Sequence, residues 1–311
     1  MTVRSAQSTH MFAEAGEASE VVGWQLEANA ELIGEIGARL GVEQPRGVMT
    51  IARGSSDHAA TFAKYLIETQ TNTLTTSAAP SIASVYAVPL DLRGMLALAI
   101  SQSGKSPDIV AATAAARAAG ALTLALVNNV SSPLGEVCDY VVPLHAAPEQ
   151  SIAATKSYIA SLTTLLQLVA GWRSDESLSS ALQEIPSLLK SAWQCDWSPL
   201  VDGLAAATSL YVIGRGPGFG IAQEAALKFK VTCGLHAVAF SAAVLRHGPM
   251  ALVGPDFPLL VFRQSDESSV GTDELVREVA ARGARIFVAG HSLPGAIELP
   301  CPRAHPVIGP L

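Results

Sequence analysis

Six consecutive residues, Ser101-Gln102-Ser103-Gly104-Lys105-Ser106, gather three hydroxyls, an amide and a glycine directly after the apolar run 95–100. A helical pattern follows as far as about Ala119, so the segment is a strand-to-helix turn. The first turn of a helix exposes unpaired N–H groups and a partial positive charge, and both favour an anion. Ser101, Ser103 and Ser106 add donors, and Gly104 lets an oxyanion approach the backbone. One serine there would be an ordinary helix cap; three hydroxyls around a glycine predict a phosphate cradle. Lys105 either adds a charged contact to that phosphate or points into water. Ser55 and Ser56 close an earlier apolar run, 48–52, where they cap a helix expected from Asp57; Ser56 can also serve the same anion.

A second group of reactive side chains lies in the latter third of the chain. Glu224 and Lys228 are four apart in a helical pattern, the spacing of a surface ion pair. His247 precedes Gly248-Pro249 and so sits on a turn. An imidazole there can pass protons near neutral pH, or be solvated or structural.

The elements that must position these residues alternate. Residues 10–41 carry apolar side chains at three- and four-residue steps and predict a helix stopped by Gly41. Short apolar runs at 48–52, 95–100, 122–127 and 140–143 predict strands, each followed by helix or turn, and 154–172 predicts a long buried helix. This alternation implies a parallel, doubly wound sheet, with ligands at the carboxyl ends of its strands. Residues 173–203 predict a helical linker broken by Pro186 and Pro199. The pattern then repeats. Ile51-Ala52-Arg53-Gly54 returns as Ile213-Gly214-Arg215-Gly216, and Gln102-Ser103 returns as Gln264-Ser265, both 162 positions later; Ala119-Gly120-Ala121 returns as Arg282-Gly283-Ala284. Three landmarks in one register predict an internal duplication. The expected organisation is an N-terminal helical segment at 1–45, a first α/β unit with the phosphate site at 46–172, a linker at 173–204 and a second unit at 205–311. The strand matching 140–143 is expected near 306–308, which leaves the second unit without its last helix. Its cradle, Arg263-Gln264-Ser265-Asp266, loses the glycine and gains an acid, so one phosphate site per chain is expected.

Composition narrows the function. The net charge is −7 and charged residues make up 15% against 49% hydrophobic. No basic patch stands out, which excludes nucleic acid and an anionic membrane as expected partners. Cys138, Cys195, Cys233 and Cys301 form no metal-binding or disulfide pattern, which fits a reducing cytoplasm; no metal and no cofactor are expected. The run 152–172, interrupted by Lys156 and several Ser and Thr, reads as a buried helix rather than a membrane span.

Ser-Gln-Ser-Gly after a strand, Ala-Thr-Lys at 154–156, Glu-Ala-Ala-Leu-Lys-Phe-Lys at 224–230 and Arg-His-Gly-Pro at 246–249 together resemble the sugar isomerase (SIS) domain family. The likeness covers nearly the whole chain from about residue 20, and is closest to the isomerase half of glucosamine-6-phosphate synthase and to stand-alone glucosamine-6-phosphate deaminases. It implies two tandem flavodoxin-like units and a hexose 6-phosphate ligand. Ser56, Ser101, Gln102, Ser103 and Ser106 would hold the 6-phosphate and nearby hydroxyls, and Ile152 and Thr155 would line the sugar pocket. His247 would open the pyranose ring in a neighbouring subunit's site, since relatives are dimers, and Lys228 would lie near the reacting carbons. No N-terminal Cys nucleophile follows Met1, so glutamine-dependent synthesis is not expected.

The sequence departs from the family at its base. The family glutamate that shuttles the proton between C1 and C2 is Val231 here; two further family glutamates are Val238 and Val244; the family's C-terminal lysine lies beyond Leu311. A positioned general base contributes about 10²–10⁴-fold. Glu224 is seven residues before Val231, about 10 Å away along a helix, whereas a base must reach within about 3 Å of its proton. Lys228 is one turn away but would first have to give up its own proton. The expectation is amino-sugar 6-phosphate binding with isomerase/deaminase-type chemistry, glucosamine 6-phosphate to fructose 6-phosphate plus ammonia, impaired in this chain. The alternative is a non-catalytic sugar-phosphate sensor or an inactive partner subunit. Direct transcription control is disfavoured, because the first 42 residues offer one helix and no basic recognition face.

Overall fold

The computed structural model describes residues 5–311. The chain divides into two compact units, Met1–Pro186 and Ser187–Leu311.

The first unit opens with α1 (His10–Gly16), α2 (Ala18–Ala28) and α3 (Ala30–Glu43). Three helices therefore replace the single one predicted over 10–41, with breaks at Glu17 and Asn29. Asn29 is buried and its side-chain amide donates to the Pro143 carbonyl at 2.8 Å, a long-range bond that anchors the chain where α2 gives way to α3. The last of these helices ends at Gln44, in a left-handed conformation, rather than at Gly41. Then follow β1 (Gly47–Ile51), α4 (Ser55–Thr71), β2 (Thr75–Ser77), α5 (Ser81–Ser84), β3 (Met95–Ser101), α6 (Pro107–Ala118), β4 (Leu122–Val127), α7 (Pro133–Glu136), β5 (Tyr140–Pro143) and α8 (Lys156–Arg173). The sheet order is β2-β1-β3-β4-β5, parallel throughout. Along β3 the side chains alternate: Ala97 and Ala99 pack with Met49, Ile51, Ala125 and Val127 beneath Ile109, Ala112 and Ala116 of α6, while Leu96, Leu98 and Ile100 face the other way and are fully buried. Small residues on one face let α6 lie close to the sheet.

Most of α8 is buried, packed among α2, α3 and α4. Its apolar length is satisfied within its own unit, and among the described residues no helix is long and apolar enough to cross a membrane. Backbone contact sets the crossing with α3: a Cβ on Gly37 would stand 2.6 Å from the Gly171 carbonyl carbon and 2.8 Å from the Trp172 nitrogen.

After α9 (Glu176–Leu182), α10 (Ile185–Trp193) and α11 (Ser198–Leu204), the second unit runs β6 (Ser209–Gly214), α12 (Gly218–Cys233), β7 (His236–Ser241), α13 (Ala242–Leu245), β8 (Pro258–Phe262), α14 (Ser269–Ala280), β9 (Arg285–Ala289) and β10 (Ile297–Leu299). Its order, β7-β6-β8-β9-β10, repeats that of the first sheet, the 2-1-3-4-5 arrangement of flavodoxin-like units. The duplication extends to the backbone: Gly54 and Gly216, matched by sequence, both have φ of 57°. One expectation is corrected. The strand matching β5 is β10, not 306–308; residues 306–310 are turns, and Pro306 has no N–H to give a ladder. No helix follows β10 among the described residues.

The α3–α8 contact gives a paired prediction. Gly37→Ala forces two backbones apart and should cost on the order of 1–3 kcal/mol in denaturant unfolding. Gly34→Ala, one turn earlier on the exposed face with nothing within 4 Å of the added carbon, should be neutral or stabilise by about 0.5–1 kcal/mol.

Candidate functional site

The first unit places β1 and β3 side by side, so the turns after them meet at the carboxyl edge of the sheet. A cavity of about 210 Å³ opens there, lined by Arg53, Ser55, Ser56, Ser101, Gln102, Ser103, Ser106 and, from the chain around the start of α8, Ala154, Ser157, Tyr158 and Ser161. A larger cavity of about 630 Å³ in the same unit is lined by aliphatic side chains with Thr76 and Ser77, and holds no such cluster of hydroxyls.

The turn after β3 is shaped by its own atoms. Ser101 Oγ, buried, accepts from the Gly104 N–H at 3.1 Å, and Ser103 Oγ accepts from the Lys105 N–H at 3.3 Å. Gly104 has φ of 65°, and a Cβ there would fall 2.0 Å from Ser132 Oγ, so only glycine fits. Ser106 is the N-cap of α6, with Pro107 at the first helical position. Its side chain makes no capping bond, which leaves the hydroxyl to the cavity it lines.

The turn after β1 differs from prediction. Helix α4 starts at Ser55, not Asp57, because Gly54 provides the N-terminal carbonyl for Asp57 N–H at 2.9 Å and His58 N–H at 3.2 Å. Ser55 and Ser56 thereby lie in the first helical turn, where backbone N–H groups cluster. Burial pushes the Asp57 carboxyl above the usual carboxylate range, against the opposing pull of His58 and Arg53, so this neighbouring acid resists ionisation. Arg53 forms a rim of the cavity and is paired with Asp108, Nε at 2.8 Å and Nη2 at 2.7 Å; that bond holds the Asp108 carboxyl low.

Ser56, Ser101, Gln102, Ser103 and Ser106 therefore line one cavity. Ile152 and Thr155 do not line it. Ile152 is fully exposed, between Ser151, whose side chain bonds Glu14, and the buried Ala153. Thr155 is the N-cap of α8, its N–H donating to Glu149 Oε1 at 2.7 Å. Arg53, Ser55, Ala154, Ser157, Tyr158 and Ser161 were not predicted. Ser157 and Ser161, four apart and so on one side of a largely buried helix, are the signal in the sequence that marks this face.

Glu224, Lys228 and His247 lie in the second unit. Glu224 is buried and Lys228 half-buried on α12, and they form an ion pair, so this is not the surface pair that the spacing suggests. His247 is exposed beyond α13, its N–H donating to the Val244 carbonyl at 2.9 Å. Val231 and Val244 are exposed, while Val238 is half-buried against the apolar core of the unit. In the second copy of the cradle, the Asp266 carboxylate accepts from the Ser268 N–H at 2.9 Å and Oγ at 2.5 Å, a covalently attached anion at the entrance to α14. Arg263, the residue before Gln264, is held bidentately by Asp273 at 2.6 and 2.9 Å.

Two parallel units in tandem, with a hydroxyl-lined turn after the third strand of the first, define the class of protein. The family profile described as SIS domain matches residues 42–171 and 203–290, and the chain belongs to that family. It is 33% identical over 304 residues to the glutamine–fructose-6-phosphate aminotransferase (isomerizing) of Bradyrhizobium diazoefficiens, covering 92% of this chain and 50% of the relative. It is 30% identical to the protein of the same name from Zymomonas mobilis, covering 87% and 47%. The chain thus spans about half the length of the curated relatives it matches. Among solved structures, one from Silicibacter pomeroyi, provisionally described as a phosphosugar isomerase, is 40% identical with a TM-score of 0.93 over 97% of this chain and 93% of that one. Glucosamine-6-phosphate deaminase from Thermotoga maritima shares the fold, with a TM-score of 0.75 at 21% identity over 94% and 88%.

The Arg263–Asp273 pair carries a pH signature. The hydrogen bonds from Arg263 hold the Asp273 carboxyl below its ordinary value, against burial. A depressed carboxylate contributes stability that is complete above about pH 4 and lost as the pH falls through its folded-state value. Asp273→Asn should therefore lower stability at pH 7 by on the order of 1–3 kcal/mol. The gap from wild type should close at strongly acidic pH, as read by urea titrations across the acid range.

Proposed function

We propose that the chain binds a hexose 6-phosphate, with the phosphate in the turn 101–106 and against Ser56, and that it acts as a homodimer in amino-sugar metabolism. The observation that carries this reading is the convergence of Ser56, Ser101, Gln102, Ser103 and Ser106 on one polar cavity at two helix N-termini. The names of the relatives support the sugar phosphate as the ligand class.

The chemistry we propose is isomerase/deaminase-type. With the ring opened by His247, a proton moves from C2 to C1 of glucosamine 6-phosphate. The resulting C2 imine takes up water, releasing ammonia and leaving fructose 6-phosphate. The proton transfer needs a base between C1 and C2, and this chain has Val231 at the family's position for it. Glu224, tied to Lys228 and about 10 Å along the helix from that position, is a poor replacement. Turnover is accordingly slow, while binding, which uses other residues, is retained. A second reading, a non-catalytic sugar-phosphate sensor or inactive partner subunit, is favoured by the same valine, and the two differ only in whether ammonia appears.

Calorimetric titration with glucosamine 6-phosphate, beside an assay of ammonia release, tests both. Binding is expected, weakened about 10–100-fold by Ser103→Ala, as for loss of a hydrogen bond to a charged group. Val231→Glu should raise ammonia release by about 10²-fold or more. Release by the wild type that Val231→Glu does not improve would show that another base serves. Failure to bind any hexose 6-phosphate would remove the cradle reading.

A further inference from the structure

The cradle accounts for one side of the cavity. The other side, Ala154, Ser157, Tyr158 and Ser161, belongs to α8 and the segment that leads into it, and that segment is held from outside by the N-terminal helices. Glu14, in the last turn of α1, is 5% exposed. Its carboxylate accepts from the Gln150 N–H, from the Ser151 N–H at 3.3 and 3.2 Å, and from the Ser151 hydroxyl. Three residues on, Glu17 pairs with the buried Lys156 ammonium at 2.6 Å. A third carboxylate closes the segment on itself: Glu149 accepts from the Thr155 N–H at 2.7 Å and from the Ser157 hydroxyl, capping the α8 N-terminus. Just before it, His145 and Ala147 adopt left-handed backbone at φ of 52° and 53°, a conformation that residues with a Cβ keep only when their surroundings impose it. Asn128 at the end of β4 does so, donating to the Ala147 carbonyl and accepting from the Ala146 N–H, each at 2.8 Å.

A carboxylate with little exposure is expensive unless its oxygens are filled. Glu14 is filled by two adjacent residues of one loop, so helix and loop move together or not at all. Gln25 and Asn29 extend the attachment, donating to the carbonyls of Leu144, Ala160 and Pro143 at 2.8 to 3.1 Å. The phosphate turn 101–106 makes no hydrogen bond to Glu14, Glu17 or Glu149; it bonds its own residues, Leu134 and, through the Asn128 backbone N–H, the end of β4.

We propose that Glu14 and Glu17 are positioning residues for the sugar part of the ligand. By fixing the segment 149–157 they present Ser157, Tyr158 and Ser161 to the cavity, and they set affinity for the sugar while leaving affinity for phosphate alone unaffected. The inference rests on the hexose 6-phosphate reading given above.

The test uses the full chain and two probes, inorganic phosphate and glucosamine 6-phosphate, titrated calorimetrically, together with amide hydrogen exchange of the ligand-free protein. Glu14→Ala is expected to weaken glucosamine 6-phosphate about 10-fold and inorganic phosphate less than about 2-fold. Exchange in 149–157 should rise about 10-fold or more, with 101–106 unchanged. Glu14→Gln, which keeps one acceptor oxygen, should fall between. Ser151→Ala, which removes a single donor and leaves no charge unpaired, carries the same comparison should Glu14→Ala not fold. Equal weakening of both probes, or an unchanged ratio of the two affinities, overturns the positioning role. A wild type that binds neither probe, with exchange in 149–157 still rising in Glu14→Ala, overturns the ligand reading and with it the sugar-positioning role, and leaves only the tether.

Discussion

The absence of a side chain at Gly104 is the constraint on which the site depends. The chain leaves β3 and must reverse within a few residues to start α6, and it does so pressed against Ser132, itself fully buried beside α7. Any Cβ would displace that contact, so the turn is held closed by packing before a ligand arrives. The Leu134 N–H bonds the Gly104 carbonyl at 3.1 Å and the Asn128 N–H bonds the Gln102 carbonyl at 3.1 Å, which ties the loop after β4 to the same turn. Hydroxyls and helix N-termini that are already in place lose little freedom when an anion enters.

The long helix α8 then does for the far wall what Gly104 does for the near one. Its burial among α2, α3 and α4 is possible because glycines 37 and 171 let two backbones approach. Two of its buried polar groups are tied to the N-terminal helices: Thr164 Oγ1 and the Ala160 carbonyl receive Gln25, and Lys156 meets Glu17. Only Ser157, Tyr158 and Ser161 of the helix reach the cavity. Packing against α2, α3 and α4 sets where on the helix surface those three emerge.

What was legible in the sequence follows from what each signal measures. The cradle and the duplication were legible because glycines at left-handed turns and hydroxyls after apolar strands are local requirements, and they recur wherever the local geometry recurs, as at Gly54 and Gly216. The edge strands β2 and β7 were not, since β2 is three residues long with two exposed, and nothing in Thr-Thr-Ser distinguishes it from a turn. The three-part N-terminal segment reads as one helix because periodicity survives a break that is marked by a bond, Asn29 to Pro143, between residues 114 apart. Glu224 reads as a surface residue from sequence because spacing reports an ion pair but not its depth. Ile152 followed family expectation into the pocket, whereas the bonds to Glu14 that set the course of its loop come from a helix about 140 positions away in the chain, beyond the reach of any local motif.

The carboxylate of Asp266 gives the two halves of the molecule different relations to the solution around them. Matched by the repeat to Gly104, it sets a negative charge in the second turn where the first turn offers hydroxyls and backbone N–H groups, so the two copies present opposite electrostatics at the same place in the fold. Duplication here leaves one backbone turn in two electrostatic forms, the first lined by hydroxyls and the second carrying a carboxylate of its own.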